Sequence, residues 1–244
     1  MRILTTTLCY PRPDSPDLGV FVQRRALALA SLGHDIRVVS PQPWCPILRK
    51  TRSDPDQMSP LHVRYPRMFS LPLLGRATDG LAYCRALRPA AADLIRQDGR
   101  GFDLIDAHFV YPDGVGALLA ARRLRVPVVV TVRGKIVSLS RRLGRRAQIR
   151  AMLRRVDGII AVSRSLARCV HDLAGGVIAA LNRPWDRSFI SAAGSRRTWQ
   201  HVAREVEAVF HRVLADRRGA RVSDLPAQTS AKSPADAQAL EVPA

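Results

Sequence analysis

The sequence is poor in lysine, glutamate and aromatic residues, and these shortages narrow the functions it can have. Its 244 residues include three lysines and three glutamates, and aromatic residues make up 5%. Cationic residues still outnumber acidic ones, 39 to 20, so a formal net charge of +19 is carried almost entirely by arginine. This charge suits an anionic partner, such as a membrane surface, a nucleic acid or a phosphorylated substrate. The alternative is that the preference for arginine over lysine reflects codon composition and not an anionic partner.

Long apolar runs and grouped cysteines are also absent. No apolar run approaches the roughly 20 residues that span a bilayer. The amino terminus does not match a signal peptide, because Thr5-Thr6-Thr7 and two prolines soon follow it. The four cysteines are far apart, which predicts reduced thiols and no metal site. We therefore expect a cytoplasmic protein, or one attached peripherally to the inner membrane face.

Several common functional motifs are missing. The first strand-to-helix loop has one glycine and lacks the G-x-G-x-x-G pattern, which disfavours NAD. No G-x-S-x-G nucleophile turn occurs. No helix-turn-helix, zinc finger or aromatic stacking motif accompanies the positive charge. We therefore predict no nucleic-acid partner and no bound cofactor.

Short apolar segments alternate with segments of helical periodicity through the first 170 residues. The predicted strands cover residues 2–9, 35–39, 61–65, 103–107, 126–132 and 158–162. The predicted helices cover residues 20–32, 79–97, 115–124 and 139–156. Such alternation is typical of a mostly parallel sheet covered by helices on both faces. The sequence therefore predicts an α/β fold with a doubly wound, Rossmann-like sheet.

Prolines predict where the secondary structure is interrupted, and one further helix is predicted near the carboxyl terminus. Residues 40–60 contain five prolines and are predicted to form a loop. Pro89 should kink or divide the second helix, because proline lacks the amide hydrogen. Residues 196–214 form one amphipathic helix whose apolar positions repeat at i, i+3, i+4 and i+7, so this stripe must pack against another surface. From Arg217 onward the polar composition predicts disorder.

His108 is the first candidate functional residue. It ends a predicted buried strand and precedes a Tyr-Pro-Asp-Gly turn that contains Asp113. Ligands of open α/β sheets bind at the carboxyl ends of strands. A histidine there can hydrogen-bond a phosphate or a sugar hydroxyl and can titrate near neutral pH. A structural histidine at the sheet edge is the alternative.

Three further features could bind anions. The loop that contains Asp17 and Gly19 leads into the first helix, whose amino terminus favours negative charge; an ordinary loop is the alternative. Arg133-Gly134 follows the most apolar strand, and the guanidinium of Arg133 could pair with a phosphate or carboxylate. The alternative is a loop arginine that contacts only solvent. The arginine-rich helix over residues 139–156 could lie on anionic lipid through Leu143, Ile149, Met152 and Leu153, or be an ordinary surface helix.

Taken in order, these segments resemble the family 4 glycosyltransferases, retaining enzymes with two Rossmann-like domains in the GT-B arrangement. The resemblance runs from Met1 to about Leu173. It rests on residues 1–4, 19–30, 32–39, 103–108, 112–114, 128–134 and 156–163. It implies that residues 1–174 are the acceptor-binding domain, with a nucleotide-sugar and a sugar acceptor as substrates and no metal.

The resemblance also implies roles for individual residues. His108 would line the reaction centre as the catalytic candidate. The loop with Asp17 and Gly19 would lie near the donor diphosphate and the acceptor. Arg133, Gly134 and Asp113 would form the cleft wall. The family often has an acidic residue within two positions of the Arg-Gly pair, and here Lys135 and Ile136 follow instead.

The larger departure lies after Leu173. The donor domain of the family carries two glutamates separated by seven residues, but Val213 stands eight positions after Glu205, and Ala215 eight after Glu207. We expect that about 150–200 residues, the size of a domain, are missing before Trp199. The late helix resembles the final helix of the family, which crosses back onto the first domain.

These features predict a remnant linker and docking helix over residues 175–216 and a disordered tail over 217–244. Little or no transferase activity is expected from the chain alone. One alternative is a non-catalytic acceptor-binding or partner module that works with a separate donor-domain chain. Another is a basic protein that binds the membrane surface.

Overall fold

The computed structural model describes residues 1–45, 60–70, 77–133, 143–163 and 198–217, together with Leu139, Leu166, Ala167 and Val170. The strands are β1 (Arg2–Thr6), β2 (Asp35–Val39), β3 (Gln42–Trp44), β4 (His62–Arg64), β5 (Arg67–Phe69), β6 (Leu104–His108), β7 (Val128–Val132) and β8 (Gly158–Ala161). The helices are α1 (Val20–Ser31), α2 (Asp79–Asp98), α3 (Val115–Leu124), α4 (Leu143–Leu153) and α5 (Trp199–Arg217). A single π turn, Val110–Gly114, joins β6 to α3.

Six strands form one sheet in the order β4-β2-β1-β6-β7-β8, and every neighbouring pair is parallel. The chain proceeds outward from β1 to β2 and β4, and later from β6 to β7 and β8 on the other side. The order therefore reverses between β1 and β6. The predicted doubly wound α/β fold is confirmed, and its crevice lies outside the carboxyl ends of these two strands.

Two short strands were not predicted. β3 pairs in parallel with β5 in a separate two-stranded sheet. The prediction of a loop throughout residues 40–60 was therefore wrong for β3, while residues 46–59 lie outside the described residues. Both strands contain three residues, too few for an alternating pattern to be recognised beside several prolines.

Proline does not divide α2. The helix continues from Asp79 to Asp98 with Pro89 inside it, so the predicted division is wrong. Pro89 is exposed, whereas Tyr83, Leu87 and Leu94 on the opposite side are fully buried. These buried side chains lie before and after Pro89 in the sequence. Their packing against the core outweighs the roughly 3 kcal/mol by which an internal proline destabilises a helix.

Helices cover both faces of the sheet. α2, α3 and α4 pack on the face that presents Leu4, Ile105 and Val130. α1 and α5 cover the face that presents Ile3, Leu104 and Val129. We name these the α2 face and the α1 face.

The late helix packs through its predicted apolar stripe. Ala203, Val206, Phe210 and Val213 of α5 are buried, and α5 contacts α1 and β8. Gly158 in β8 makes room for it, since a Cβ there would lie 2.9 Å from Cγ2 of Val213. The division into domains and a disordered tail stays a prediction, because residues 171–197 and 218–244 lie outside the described residues.

The apolar stripe of the basic helix faces the protein core. Ile149, Met152 and Leu153 of α4 are buried, and the guanidinium of Arg145 lies 5.7 Å from the centre of the Tyr111 ring. These three apolar side chains are therefore not available for insertion into lipid. Among the helices of the described residues, none has both the length and the apolar character required to cross a bilayer.

Candidate functional site

The loops that follow β1, β6 and β7 meet at the carboxyl edge of the sheet. They bring together the loop that ends at Gly19, the π turn with Asp113, and Arg133. His108 is the last residue of β6 and is fully buried on the α1 face. Gly134 lies outside the described residues.

Gly19 is required by the close approach of the loop to the end of β1. It has a positive φ of 76°, and a Cβ at this position would lie 2.1 Å from the carbonyl oxygen of Cys9. Gly19 is the N-cap of α1 and provides no side chain that could cap the first turn. The amino terminus of α1 thus lies against the crevice. The first turn of α1 has no acidic residue that would offset the positive end of the helix dipole. Asp17 is exposed in the same loop.

A buried polar cluster on the α1 face links α1 to β6 and β7. The guanidinium of Arg25 donates to Oδ1 of Asp106 at 2.6 Å and to Oγ1 of Thr131 at 2.7 Å. It also lies 2.6 Å from Nε2 of His108. Arg25, Asp106, His108 and Thr131 are all at most 1% exposed. We call these four residues the buried charge cluster.

The cluster keeps His108 neutral and Asp106 ionised. Burial, together with the charge of Arg25, lowers the pKa of His108 from 6.5 to about 3. Burial alone would raise the pKa of Asp106, but the charge of Arg25 and the hydrogen bond from its guanidinium hold that pKa well below its usual value. At neutral pH the cluster therefore contains one ion pair and an uncharged imidazole.

The contact with Arg25 fixes the tautomer of His108. Nε2 lies 2.6 Å from the guanidinium, which can only donate, and 3.4 Å from Oδ2 of Asp106, so the shorter contact makes Nε2 the acceptor and leaves the proton on Nδ1. Nδ1 is buried and has no hydrogen-bond partner among the described residues. A buried donor without a partner is costly, so Nδ1 is an atom of His108 whose hydrogen-bonding capacity the described residues leave unused.

Asp113 positions the loops of the site. Its carboxylate is 1% exposed, and Oδ2 accepts a hydrogen bond from the amide of Leu8 at 3.0 Å. Burial raises the pKa of Asp113 well above its usual value. The side chain thus ties the π turn after β6 to the loop after β1, on the two sides of the crevice.

Arg133 lies beside two aromatic rings near the amino terminus of α1. Its guanidinium is 4.4 Å from the centre of the Phe21 ring, which packs edge-on against Phe109. Burial and the nearby charge of Arg25 lower the pKa of Arg133 to about 9. Phe109 has φ of 70°, an unfavourable conformation of the kind often found at functional sites.

Arg25 and Asp106 were not among the predicted site residues. Of the apolar residues Val20, Phe21, Leu27, Ala28 and Leu32 in and beside α1, only Ala28 is buried. The buried stripe consists of Val22, Arg25, Ala26 and Leu29, at i, i+3, i+4 and i+7. Arg25 on this stripe was the signal that could have revealed an inward-facing charge.

The parallel sheet, the switch-point crevice and the returning helix α5 define a Rossmann-like half of a GT-B fold. The chain belongs to glycosyltransferase family 4, since the model of that family, described as Glycosyltransferase Family 4, matches residues 18–180. Within the described residues, no group of three His, Cys, Asp or Glu side chains could hold a metal ion.

One curated relative is similar to this chain in sequence, and one solved structure shares its fold. The chain is 29% identical over 185 residues to the "Putative teichuronic acid biosynthesis glycosyltransferase TuaC" of Bacillus subtilis (strain 168), covering 72% of this chain and 47% of the relative. The chain thus spans about half the length of this relative. A structure of sucrose-phosphate synthase (tll1590) from Thermosynechococcus elongatus superposes with a TM-score of 0.55 at 13% identity, covering 88% of this chain and 100% of that chain.

Proposed function

We propose that this chain is the acceptor-binding half of a retaining, metal-independent glycosyltransferase that uses a nucleotide-sugar and a sugar acceptor. The observation that carries the proposal is the convergence of the Gly19 loop, His108 and Arg133 at the switch point of a GT-B half. The name of the curated relative favours an acceptor from a pathway such as that of teichuronic acid.

Each site residue has a role that its contacts support. The Gly19 loop and the amino terminus of α1 favour the donor diphosphate, and exposed Asp17 can accept from a sugar hydroxyl. Arg133 pairs with a phosphate or carboxylate, since Phe21 holds its guanidinium at the crevice. Nδ1 of His108 donates to the reacting sugar. Asp113 positions these groups rather than contacting the substrate.

The chain is proposed to be inactive alone. The proposal rests on the sequence, which has no glutamate pair at the spacing expected of the donor half. A separate chain that supplies a donor-binding domain would complete the cleft. The crevice at the carboxyl edge would then have two walls.

A complementation assay tests this function. The purified chain is incubated with a nucleotide-sugar and acceptor, alone and with a separately expressed donor half of a family 4 relative. We expect no turnover above background alone and measurable turnover with the donor half. His108→Ala should abolish that turnover, whereas His211→Ala, on the exposed side of α5, should not. Turnover by the chain alone would overturn the proposal of inactivity.

Cytoplasmic localisation with electrostatic attachment to the inner membrane face completes the proposal. Its support is the net charge of +19 and the exposed residues Arg154 and Arg155 after α4. Binding to anionic vesicles should weaken strongly between 50 and roughly 300 mM salt, because exposed charges are screened within about 10 Å at 0.1 M. Binding that is insensitive to salt would contradict an electrostatic attachment.

A further inference from the structure

A pocket of about 260 Å³ lies between β5 and the first two turns of α2. Its wall consists of Arg67, Phe69, Thr78, Ala82, Arg85 and Ala86. The volume lies just below the range of about 300–1,000 Å³ that is typical of drug-sized ligands. It therefore suits a ligand of the size of one sugar unit.

The pocket has a positive charge that the described residues do not neutralise. None of its lining residues is acidic, and neither Arg67 nor Arg85 forms an ion pair within the part of the chain that the structure describes. Two other arginines, on β2 and β4, lie close to carboxylates. Arg37 pairs with Asp35 and Asp98, and Arg64 lies 3.9 Å from Asp93. The two pocket arginines are thus available to an external anion.

Two exposed aromatic side chains adjoin these charges. Trp44 is 38% exposed and Phe69 is 50% exposed, and their ring centres are 6.5 Å apart. The guanidinium of Arg67 lies 5.6 Å from the centre of the Trp44 ring. Adjacent exposed aromatic faces are typical of binding surfaces, and the C–H face of a sugar ring can pack on them through dispersion.

The pocket lies at the same edge of the sheet as the candidate site. β3 and β5 extend the chain past the carboxyl ends of β2 and β4, where the amide of Gln42 donates to the carbonyl of Pro66 at 2.8 Å. α2 lines the pocket and also reaches β1, because the hydroxyl groups of Tyr83 and Thr6 are 2.6 Å apart. A long acceptor could therefore contact both places.

We propose that this pocket binds an anionic sugar residue of the acceptor, and this inference rests on the proposed acceptor-binding function. Arg67 and Arg85 pair with the carboxylate or phosphate of that residue, and Phe69 and Trp44 contact its ring. The pocket thereby selects charged acceptors over neutral ones and holds them beside the crevice.

Titration calorimetry on the full chain tests the proposal with three probes. They are an oligosaccharide that ends in glucuronate, the same oligosaccharide ending in glucose, and the latter carrying a terminal phosphate. The double variant Arg67→Gln/Arg85→Gln removes both pocket charges. Its matched control, Arg122→Gln/Arg123→Gln, removes two charges from exposed positions on α3. All four arginines are exposed, so circular dichroism and thermal melts should show unchanged folds.

We expect at least one anionic probe to bind at least about 10-fold more tightly than the neutral probe, a factor that corresponds to about 1.4 kcal/mol. The pocket double variant should lose about that factor, and the control should keep it. The stronger of the two anionic probes identifies carboxylate or phosphate as the recognised group. Equal binding of neutral and anionic probes, equal loss in both double variants, or no binding of any probe would overturn the proposal.

The outcome is separable from that of the complementation assay. Charge-selective binding that depends on Arg67 and Arg85 would stand even if no donor half restores turnover. Restored turnover with acceptors of either charge, unaffected by the pocket double variant, would support the proposed function and overturn this inference. Phe69→Ala provides an independent measure, because it should weaken the anionic probe without altering the charge.

Discussion

The two faces of the main sheet differ in chemistry although they belong to the same strands. Toward the α2 face, β6 and β7 present Ile105, Ala107, Val128 and Val130, and toward the α1 face they present Asp106, His108 and Thr131. Both faces are fully buried at these positions. The α2 face therefore holds the fold together, whereas the α1 face also carries buried polar groups that stability alone does not require.

Buried ion pairs are poor devices for stability. Their desolvation often cancels their attraction, and apolar replacements of similar volume can be neutral or stabilising. The Arg25–Asp106 pair adjoins the carboxyl end of β6, beside the switch point. Its place indicates a role in positioning His108 for the site.

The largest expected effect comes from breaking this pair. Asp106→Asn leaves the charge of Arg25 buried and unpaired, which should lower the free energy of unfolding by about 3–5 kcal/mol. Thr131→Val removes only a neutral partner of Arg25 and should cost about 1 kcal/mol. Urea denaturation of both variants measures the two values. Equal costs would contradict the assignment of charge as the decisive feature.

The helix that covers the α1 face should contribute almost as much. Phe210 is fully buried between α5 and the sheet, so Phe210→Ala should cost roughly 3–4 kcal/mol through lost burial and a cavity. His211→Ala, one position along on the exposed side, should change the stability by less than about 0.5 kcal/mol. If both variants melt like the parent protein, α5 is not part of this core.

Acid should weaken the α1 face through His108. Its pKa is lowered to about 3 in the folded chain and is 6.5 when unperturbed, so its contribution is complete above pH 6.5 and is lost as pH falls toward 3. The depressed pKa of Asp106 adds a loss of the same sign at lower pH. The stability of the parent should fall by on the order of 1 kcal/mol per pH unit more than that of His108→Gln. Denaturation series at pH 7, 5 and 4 compare the slopes, and parallel slopes would exclude His108 as their cause.

A smaller effect is expected at the entrance to α1. Gly19→Ala places a Cβ against the carbonyl of Cys9 and requires a strained φ, so it should cost about 1–3 kcal/mol. Gly99 also has a positive φ, but nothing lies within 4 Å of its Cβ position, so Gly99→Ala should cost about 1 kcal/mol. Thermal melts of the two variants test whether close approach, and not φ alone, fixes Gly19.

The sequence predicted the scaffold better than the site. Apolar runs such as Val128–Val132 and the stripe on α5 are long enough for their periods to identify them, and the three-residue strands β3 and β5 are not. His108, Gly19 and Arg133 could be selected because each follows or precedes a predicted element. The Arg25–Asp106 contact joins residues 81 positions apart, and no local pattern specifies which arginine of α1 meets which carboxylate.

The buried charge cluster holds His108 neutral, with its proton on Nδ1. Nitrogen-15 spectra of the histidine-labelled full chain, with His108 assigned by the loss of its signals in His108→Gln, measure this directly. The expected result is a neutral imidazole that is protonated at Nδ1 and does not titrate between pH 7 and 5. An imidazole that titrates near 6.5, or that carries its proton on Nε2, would contradict it.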